Sequence, residues 1–462
     1  AADPRAGWAQ VVSQQDETVT AADGTAFLVT SAVVRVPELR TGAPTTGTID
    51  LAIVRARRAS AARTASAHVI LAGGPGDSGV NLVLGMIRQG GAVIADLIDG
   101  DIIGIDQRGT GKSSPGLASA VRYGLPQDRP GSPEAWRPFI EQAVRSVRDD
   151  LAGRGIHLDA YNTRESADDV DAVRRALGYE RITLWGRSYG SHLALATLRR
   201  HPQAVQRLVL IGPEGPDHTW KLPGVTDAVI GRVAERAGQP DLPSLMRSVI
   251  TRLTASPASV TIAHPVTHQP VTVVVGGFDL QWVTAQALGD PRTLRTLPAA
   301  YRQMAAGDYA NMASIVFAMR ERLGVETAMK HAMDLGSGAS IGRRARIELE
   351  ARTAVLGNAI NVPGMLLAEA WGVKPLDDKF REPVQSAVPV LILAGDLDPR
   401  TPVENGGEIV STLANGQLVV VENATHQFDV FGSSTIRALL HRFLAGERVD
   451  KEHVVLAALN FQ

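Results

Sequence analysis

The chain contains no cysteine among its 462 residues. It therefore forms no disulfide, binds no metal through thiolates and has no cysteine nucleophile. This absence does not place the protein in any compartment. A charge imbalance is absent as well, because the formal net charge is −1. Without a basic excess there is no electrostatic argument for nucleic acid or an anionic membrane surface as a partner.

Long hydrophobic runs are also missing, since no uninterrupted apolar run approaches the roughly 18 residues that suggest a membrane-spanning helix. Residues 82–98 come closest, but Arg88, Gln89 and Asp96 interrupt them. We therefore expect no membrane insertion. The sequence begins with Ala1 rather than Met. This start favours a periplasmic or secreted protein that has lost a signal peptide, although a chain cut at a domain edge would look the same.

The residues that are present describe a globular chain with enough apolar material for a large core. Hydrophobic residues make up 44% of the sequence and charged residues 21%. At about 150 residues per domain, the length predicts two or three structural units. Residues 26–36 and 48–55 are rich in β-formers, and residues 42–47 between them are typical of a turn. We expect an antiparallel pair of strands at the edge of a sheet.

Strands and helices alternate beyond this pair. Residues 68–71, 101–105, 181–185 and 206–212 are short apolar runs, and a helical pattern over 164–177 lies among them. The same rhythm returns with strands at 388–395 and 417–421 and helices at 402–413 and 433–444. Apolar strands that alternate with helices predict an α/β fold with a mostly parallel sheet and helices on both faces.

The stretch between these two parts has a different character. Residues 214–382 contain several long helical patterns and one hairpin-like pair, 259–263 and 270–275. We interpret the stretch as a large, mainly helical cap inserted into a single core. The predicted core is discontinuous, with residues 1–213 and 384–462, and the predicted cap covers residues 214–383.

The most informative short motif is Gly186, Ser188 and Gly190, a G-x-S-x-G at the end of one predicted strand. It resembles the nucleophile elbow of the α/β-hydrolase fold, a sharp strand-to-helix turn with the serine at its apex. Glycine is needed two residues before and after the serine because the turn brings other backbone close. The strand-like residues before the motif and the helix formers after it support this interpretation.

A serine nucleophile needs a base, a group that orients the base, and donors for the oxyanion. In the α/β-hydrolase order, the acid and then the histidine follow the serine. Asp396 and Asp398 follow one later strand, and His426 follows the next. Because the carboxyl ends of parallel strands share one edge, the sequence predicts a triad of Ser188, Asp398 and His426 at that edge.

Four motifs together resemble the proline iminopeptidases, and the longer chain with its large cap resembles the related tripeptidyl-aminopeptidase-like hydrolases. They are residues 73–76 (GGPG), 106–113 (DQRGTGKS), 186–190 (GRSYG) and 395–402 (GDLDPRTP). The resemblance covers residues 45–213 and 388–445, but not the cap in detail. It implies Ser188 as nucleophile, His426 as base and Asp398 as its partner, with an oxyanion hole formed by the backbone amides of Gly74 and Tyr189.

The sequence departs from the family pattern at three positions. Ala72 stands where a histidine usually opens the glycine-rich loop, which puts the geometry of that loop in question. Ser191 stands where a second glycine often follows the elbow. Thr425 precedes His426 where glycine is common.

Simpler roles apply to several other residues. Asp396 is an alternative acid, but the family pattern places the acid four residues before Pro402, as Asp398 is. His192 is expected to pack within its helix, since a base must reach the serine from across the cleft. Residues 106–113 imitate a phosphate-binding loop but lack its first glycine, so we expect a structural loop beside the site.

Three residues just beyond the fourth core strand are candidate substrate-binding groups. Glu214 or Asp217 could hold the free amine of a peptide, as cap carboxylates do in the iminopeptidases, and Trp220 could line an acyl pocket. The alternative is that the carboxylates are capping or hinge residues and that the tryptophan belongs to the core of the cap.

These observations favour a serine hydrolase that cleaves an amide or ester through an acyl-enzyme, with aminopeptidase action on short peptides as the first hypothesis. A carboxylesterase, amidase or lactonase for a small hydrophobic substrate is the second, and a non-catalytic binding module with a hydrolase fold is the third. A dehalogenase would carry aspartate at position 188. We expect a small-molecule or short-peptide substrate, no cofactor and no metal, since no metal-binding spacing or dinucleotide motif is present. The sequence leaves the oligomeric state open.

Overall fold

The computed structural model describes residues 9–40 and 47–462. The first residues, on which the expectation of export depends, lie outside the described residues. Most of the turn predicted at residues 42–47 lies outside them as well. Both of these expectations therefore stay predictions.

Fourteen strands are present in the described part of the chain. In order they are β1 (Gln10–Thr20), β2 (Ala26–Pro37), β3 (Thr48–Arg58), β4 (Ala67–Leu71), β5 (Asp101–Ile105), β6 (Ala118–Arg122), β7 (Ile182–Ser188), β8 (Val205–Pro213), β9 (Ala258–Ala263), β10 (Pro270–Val275), β11 (Gly324–Thr327), β12 (Val390–Gly395), β13 (Gly416–Glu422) and β14 (His453–Val455).

Fifteen α-helices accompany these strands in the same part of the chain. In order they are α1 (Gly79–Leu97), α2 (Pro133–Gly153), α3 (Thr163–Ala176), α4 (Tyr189–Arg200), α5 (Pro223–Arg236), α6 (Leu242–Ala255), α7 (Gly277–Ala287), α8 (Pro291–Ala305), α9 (Ala310–Arg322), α10 (Ala328–Ser337), α11 (Ile341–Ala351), α12 (Ala368–Trp371), α13 (Asp378–Arg381), α14 (Val403–Val410) and α15 (Ser434–Leu444).

Ten strands form one sheet in the order β1-β2-β3-β5-β4-β7-β8-β12-β13-β14. The first four strands in this order pair antiparallel, and all later pairs are parallel. The mostly parallel sheet expected from the sequence is confirmed. The antiparallel edge contains three strands rather than the expected pair, because β1 extends it over residues for which the sequence shows little pattern.

Helices cover both faces of this sheet, as expected. Alternate residues of the central strands point to opposite sides, so Leu184 packs with one helical layer and Trp185 with the other. The Leu184 side includes α3, α4 and α14, and the Trp185 side includes α1 and α15. Because the central strands are apolar on both faces, each of them is buried along its length.

The segment between β8 and β12 is mainly helical, and it contains the expected hairpin, β9 with β10. Two of its features differ from expectation. The last long helical pattern before residue 360, at residues 339–356, forms a helix only over α11, and α10 precedes it where no helix was expected. Strand β11 pairs with β6, which ties this segment to a loop of the predicted core. The limits of core and cap stay a prediction.

Helix α2 lies outside the alternating pattern of the sequence, and one of its faces is buried. Trp136 in α2 is 1% exposed and packs edge-on against Trp282 of α7, with ring centroids 5.1 Å apart. The amphipathic pattern is present in the sequence, but the partner that covers its apolar face lies about 150 residues away and could not be identified from it.

One described helix, α1, is long and apolar enough to cross a membrane by length and composition. The interrupted apolar run at residues 82–98 lies within α1 except for its last residue, Ile98. Its buried side chains, including Val83 and Ile87, pack on β3 and β5. Asp23 accepts a hydrogen bond from the amide of Ala92 beside the bend at Gly91.

Candidate functional site

The turn between β7 and α4 places Ser188 in a backbone conformation that is rare for a residue with a side chain. Its φ is 54° and its ψ is −127°. The flanking glycines are sterically required. A Cβ on Gly186 would lie 2.4 Å from the carbonyl oxygen of Gly190, and a Cβ on Gly190 would lie 2.1 Å from that of Leu71. The strand, sharp turn and helix expected for this motif are therefore present.

The loops after β12 and β13 bring an acid and a histidine together. Asp398 Oδ2 lies 2.8 Å from His426 Nδ1. Asp398 is fully buried, whereas 18% of the His426 side chain is exposed. Because the carboxylate accepts the Nδ1 hydrogen, the Nε2 atom of His426 is left as the proton acceptor. Both His426 and Ser188 line the same cavity.

Asp398 is held by further hydrogen bonds from its own loop. The amides of Arg400 and Thr401 donate to Oδ1 at 2.8 and 3.0 Å, and the Thr401 hydroxyl donates to Oδ2 at 2.8 Å. The same hydroxyl lies 3.1 Å from His426 Nδ1. Burial raises the pKa of Asp398, but His426 and these donors outweigh it, so the pKa lies below its ordinary value.

The two residues considered as alternatives to the triad lie elsewhere. Asp396 pairs with Arg236, at 2.8 Å from Nη2. Burial raises the pKa of Asp396 despite this guanidinium. His192 is buried in α4, where its ring nitrogens lie 2.9 Å from the carbonyl oxygen of Gly215 and 3.0 Å from Ser337 Oγ. Burial lowers the pKa of His192, so its ring is neutral.

The glycine-rich loop after β4 lies directly over the serine. A Cβ on Gly73 would lie 3.3 Å from the Cβ of Ser188, whereas one on Gly74 would meet the amides of Gly76 and Asp77. Gly74 has φ of 105°, which favours glycine. Tyr189 is the first residue of α4, where backbone amides have no partner within the helix. Tyr189 therefore follows the serine directly, Gly73 lies beside it, and Gly74 lines the same cavity. The assignment of Gly74 and Tyr189 to an oxyanion hole stays a prediction.

The loop at residues 106–113 uses its polar groups internally. The Asp106 carboxylate accepts hydrogen bonds from Ser78 Oγ and from the amides of Val80 and Lys112. The Arg108 guanidinium, fully buried, forms two hydrogen bonds with the carboxylate of Asp169 in α3. These contacts fix the loop beside the glycine-rich segment.

A cavity of about 1040 Å³ opens in front of Ser188 and His426. The glycine-rich loop and the elbow form one wall. The other walls come from the segment between β8 and β12, and they include Trp220, Trp282, Lys330, Asp334 and Asn361. Its size is at the upper end of ordinary ligand pockets, which hold about 300–1000 Å³.

Of the three candidate substrate-binding residues, two line this cavity. Glu214 is buried there and pairs with Lys221, whose Nζ lies 2.6 Å from Oε2. Burial raises the pKa of Glu214, but the charge of Lys221 outweighs that effect, so the pKa lies below its ordinary value and the carboxylate is charged. Trp220 lies in the same wall.

Asp217 lies outside this cavity and borders a smaller one of about 180 Å³. Its carboxylate accepts hydrogen bonds from the amide of Ser340, at 2.7 Å, and from the Ser340 hydroxyl, at 2.6 Å. Ser340 is the residue that caps α11. These contacts of Asp217 agree with the capping role that the sequence analysis gave as the alternative to substrate binding.

Asp334 is a cavity residue that the sequence does not reveal, because α10 itself was not expected. Burial raises its pKa to about 7, and Glu214 adds to this, while Lys330 and Lys221 oppose it. The neighbouring His331 stacks on Trp371, and burial lowers its pKa to about 3. Glu214 and Asp334 therefore differ, because the pKa of Glu214 lies below its ordinary value whereas the pKa of Asp334 is raised to about 7.

Thr401, Arg400 and Arg187 are further site residues without an assigned role in the sequence. The first two belong to the conspicuous segment at residues 395–402, and Arg187 belongs to the elbow, so their positions did carry a signal. Among residues 9–40 and 47–462, no group of three or more His, Asp or Glu side chains is arranged to hold a metal ion.

Part of the chain is similar in sequence to known hydrolases. The serine protease Hip1 of Mycobacterium tuberculosis is 28% identical over 158 residues, which cover 32% of this chain and 29% of that protein. The tripeptidyl aminopeptidase of Streptomyces lividans is 30% identical over 156 residues, or 32% of this chain and 29% of that one. The matched stretch thus spans less than a third of the length of these relatives.

Among solved structures, the proline iminopeptidase of Mycobacterium smegmatis aligns over 94% of this chain and 98% of its own. The sequence identity is 19% and the TM-score is 0.40. The model of the alpha/beta hydrolase fold family matches residues 69–428, which is more than half of the chain and includes the elbow and both loops after β12 and β13. The chain belongs to the alpha/beta hydrolase fold family.

Proposed function

We propose that the protein is a serine hydrolase in which Ser188 attacks an acyl group, His426 is the general base and Asp398 orients His426. The observation that carries this proposal is the 2.8 Å contact between His426 Nδ1 and the fully buried Asp398, beside a cavity that Ser188 also lines. A buried carboxylate on Nδ1 fixes the tautomer in which Nε2 accepts the serine proton.

The proposed reaction has two halves. His426 takes the proton of Ser188 as the hydroxyl attacks the carbonyl carbon, and then gives it to the departing amine or alcohol. The acyl-enzyme is hydrolysed when His426 activates a water molecule in the same way. We assign the oxyanion to the amide of Tyr189 and to the glycine-rich loop, with Gly74 as the predicted donor and Gly73 as the alternative nearer to Ser188.

Aminopeptidase action on short peptides is the substrate class that we favour. The names of the matched relatives, a serine protease and a tripeptidyl aminopeptidase, support it. The cavity also offers carboxylates for a peptide amine. Glu214 is already paired with Lys221, whereas Asp334 has no ion pair among the described residues, so we add Asp334 to Glu214 as a candidate amine anchor. Trp220 is retained as a pocket residue, and Asp217 is not.

An esterase, amidase or lactonase remains the second candidate, because the same triad cleaves esters. The aromatic and apolar part of the wall, with Trp220 and Trp282, favours it. A binding module that does not turn over substrate is the third. The contact between His426 and Asp398, beside an open cavity that Ser188 also lines, argues against this third candidate.

Covalent labelling with a fluorophosphonate probe tests the catalytic proposal. We expect wild-type protein to be labelled and Ser188→Ala to remain unlabelled at the same melting temperature. Absence of labelling in the folded wild-type protein would favour the binding module.

A panel of chromogenic aminoacyl, tripeptidyl and N-blocked acyl substrates then separates peptidase from esterase. In the peptidase, Glu214→Gln and Asp334→Asn should raise KM for substrates with a free amine and leave N-blocked esters unaffected. Asp217→Asn is the matched control, because its carboxylate lies outside the cavity. Turnover confined to N-blocked esters would reject the aminopeptidase.

A further inference from the structure

Two half-buried arginine side chains, Arg187 and Arg400, line the cavity without a carboxylate partner. Arg187 donates from Nη2 to the carbonyl oxygen of Phe428 at 2.9 Å, and its guanidinium lies over the Phe428 ring. Arg400 donates from Nη2 to Gln286 Oε1 at 2.6 Å. Neither forms an ion pair with any carboxylate in the described chain.

Both guanidiniums remain charged in an enclosed position. Burial lowers the pKa of each, and the charge of Asp398 opposes that effect. An arginine keeps its proton under such conditions, so each charge is retained at a cost in desolvation free energy. Each guanidinium has five N–H donors, of which the contacts above use one, and both side chains border the cavity. The N–H donors of a planar guanidinium match the two oxygens of a carboxylate, so a carboxylate is the ligand that such donors bind best.

The two arginines lie on the side of the site that delivers the base. Arg187 contacts Phe428, two residues beyond His426, and Arg400 follows Asp398 by two residues. The charge of Glu214 raises the pKa of Asp334, and these two carboxylates lie after β8 and in α10 rather than in the loops after β12 and β13. Because His426 must protonate the leaving group, that group has to lie on the His426 side. An anion bound by these arginines would therefore belong to the leaving group rather than to the acyl group.

We infer that Arg187 and Arg400 form a carboxylate subsite for the leaving group, so that the preferred substrates end in a free carboxylate shortly after the scissile bond. This inference rests on the proposed hydrolase function and specifies its substrate class. Two guanidiniums on the leaving-group side would select short peptides with a free carboxyl terminus over amidated or long ones.

Matched substrate pairs test the subsite for peptides and esters alike. One pair is a peptide whose leaving amino acid is a free acid or its amide, and the other is an ester of 4-hydroxybenzoate or of 4-hydroxybenzamide. For the wild type we expect a KM at least tenfold lower for the acid of each pair, with similar kcat. Arg400→Gln should remove that difference by raising KM for the acid alone, and Arg400→Lys should keep part of it. Arg322→Gln, which changes an exposed arginine at the cavity, is the control and should keep the preference.

Equal rates for acid and amide with the wild type would overturn the subsite while leaving the hydrolase intact. Equal loss on both members in Arg400→Gln would also overturn it, because Arg400 would then only position Asp398. If the wild type cleaves neither pair, the subsite is tested by protection of Ser188 from the fluorophosphonate. The acids should protect at lower concentration than the amides, and equal protection would reject the subsite.

Absence of labelling altogether would mean that the proposed hydrolase function has failed. Binding of the acids and amides is then compared directly by calorimetry, and equal affinity would reject the subsite.

Discussion

At the scale of single residues, Thr401 is the clearest addition to the expected triad. Its hydroxyl donates to Asp398 Oδ2 at 2.8 Å and lies 3.1 Å from His426 Nδ1. Thr401→Val keeps the shape but removes a hydrogen bond to a charged group, which contributes about 1.5–3 kcal/mol. We expect kcat/KM to fall by roughly 10- to 100-fold, since 1.4 kcal/mol corresponds to tenfold.

Thr401→Ser is the matched control, because it restores the hydroxyl. It should recover most of the activity, and the acidic limb of the pH–rate profile should move in Thr401→Val but not in Thr401→Ser. Full activity in Thr401→Val would show that the backbone amides and His426 suffice to hold Asp398.

The residues that could be predicted share one property, which is a position at the end of a strand. Ser188, Asp398 and His426 follow strands whose order in the sequence implies a common edge. Asp334 could not be predicted, since its importance comes from burial and from Lys330 and Glu214 around it. Such an environment depends on long-range packing, and a short sequence pattern does not contain it.

At the scale of elements, the elbow is fixed by close contact between α4 and β4. An alanine at position 190 would place its Cβ 2.1 Å from the carbonyl oxygen of Leu71, and neither backbone can move freely. We expect Gly190→Ala to lower the free energy of unfolding by about 1–3 kcal/mol, as overpacking does. Activity should fall as well, because Ser188 is displaced.

Gly85→Ala in α1 is the control for this substitution, since a Cβ there meets nothing within 4 Å. It should stabilise the helix by about 0.5–1 kcal/mol. Denaturant unfolding of both variants measures the difference. A Gly190→Ala protein as stable and active as the wild type would contradict the steric argument.

Arg108 joins the loop at residues 106–113 to α3 through two hydrogen bonds with Asp169. Arg108→Met would leave Asp169 with Arg40 as its remaining partner. It would also remove the donor to the carbonyl oxygens of Glu38 and Ala160. Breaking a buried ion pair from one side costs about 3–5 kcal/mol. We therefore expect Arg108→Met to destabilise the protein strongly in thermal unfolding. Arg58→Met, which breaks an exposed pair with Asp96, should leave the melting temperature unchanged.

The elements themselves were predicted unevenly, for a physical reason. Central strands were found because both of their faces are buried and they are therefore continuously apolar. Strand β1 is mostly exposed, and β6, β11 and β14 have only three to five residues each, so their sequences have little apolar pattern to detect. Their pairing partners, rather than their own residues, make them strands.

At the scale of the whole molecule, the titration of Asp334 couples the cavity to folding. Its pKa is about 7 in the folded protein and near 3.8 ordinarily. Between these values the folded protein keeps a proton that the unfolded chain releases. The contribution of Asp334 to the free energy of unfolding is therefore present in full at low pH, and it declines as the pH rises towards 7. Above pH 7 the contribution stays constant.

Asp334→Asn removes this titration, so the melting temperature of the variant relative to the wild type should rise between about pH 4 and 7 and then level off. The groups around Asp334, namely Glu214, Lys221 and Lys330, are present in both proteins, so their own titrations largely cancel in the comparison. Asp149→Asn, which removes an exposed carboxylate, is the control for the loss of one negative charge. A constant difference for Asp334→Asn would mean that Asp334 is ionised throughout this range, and that the cavity carries a permanent second carboxylate.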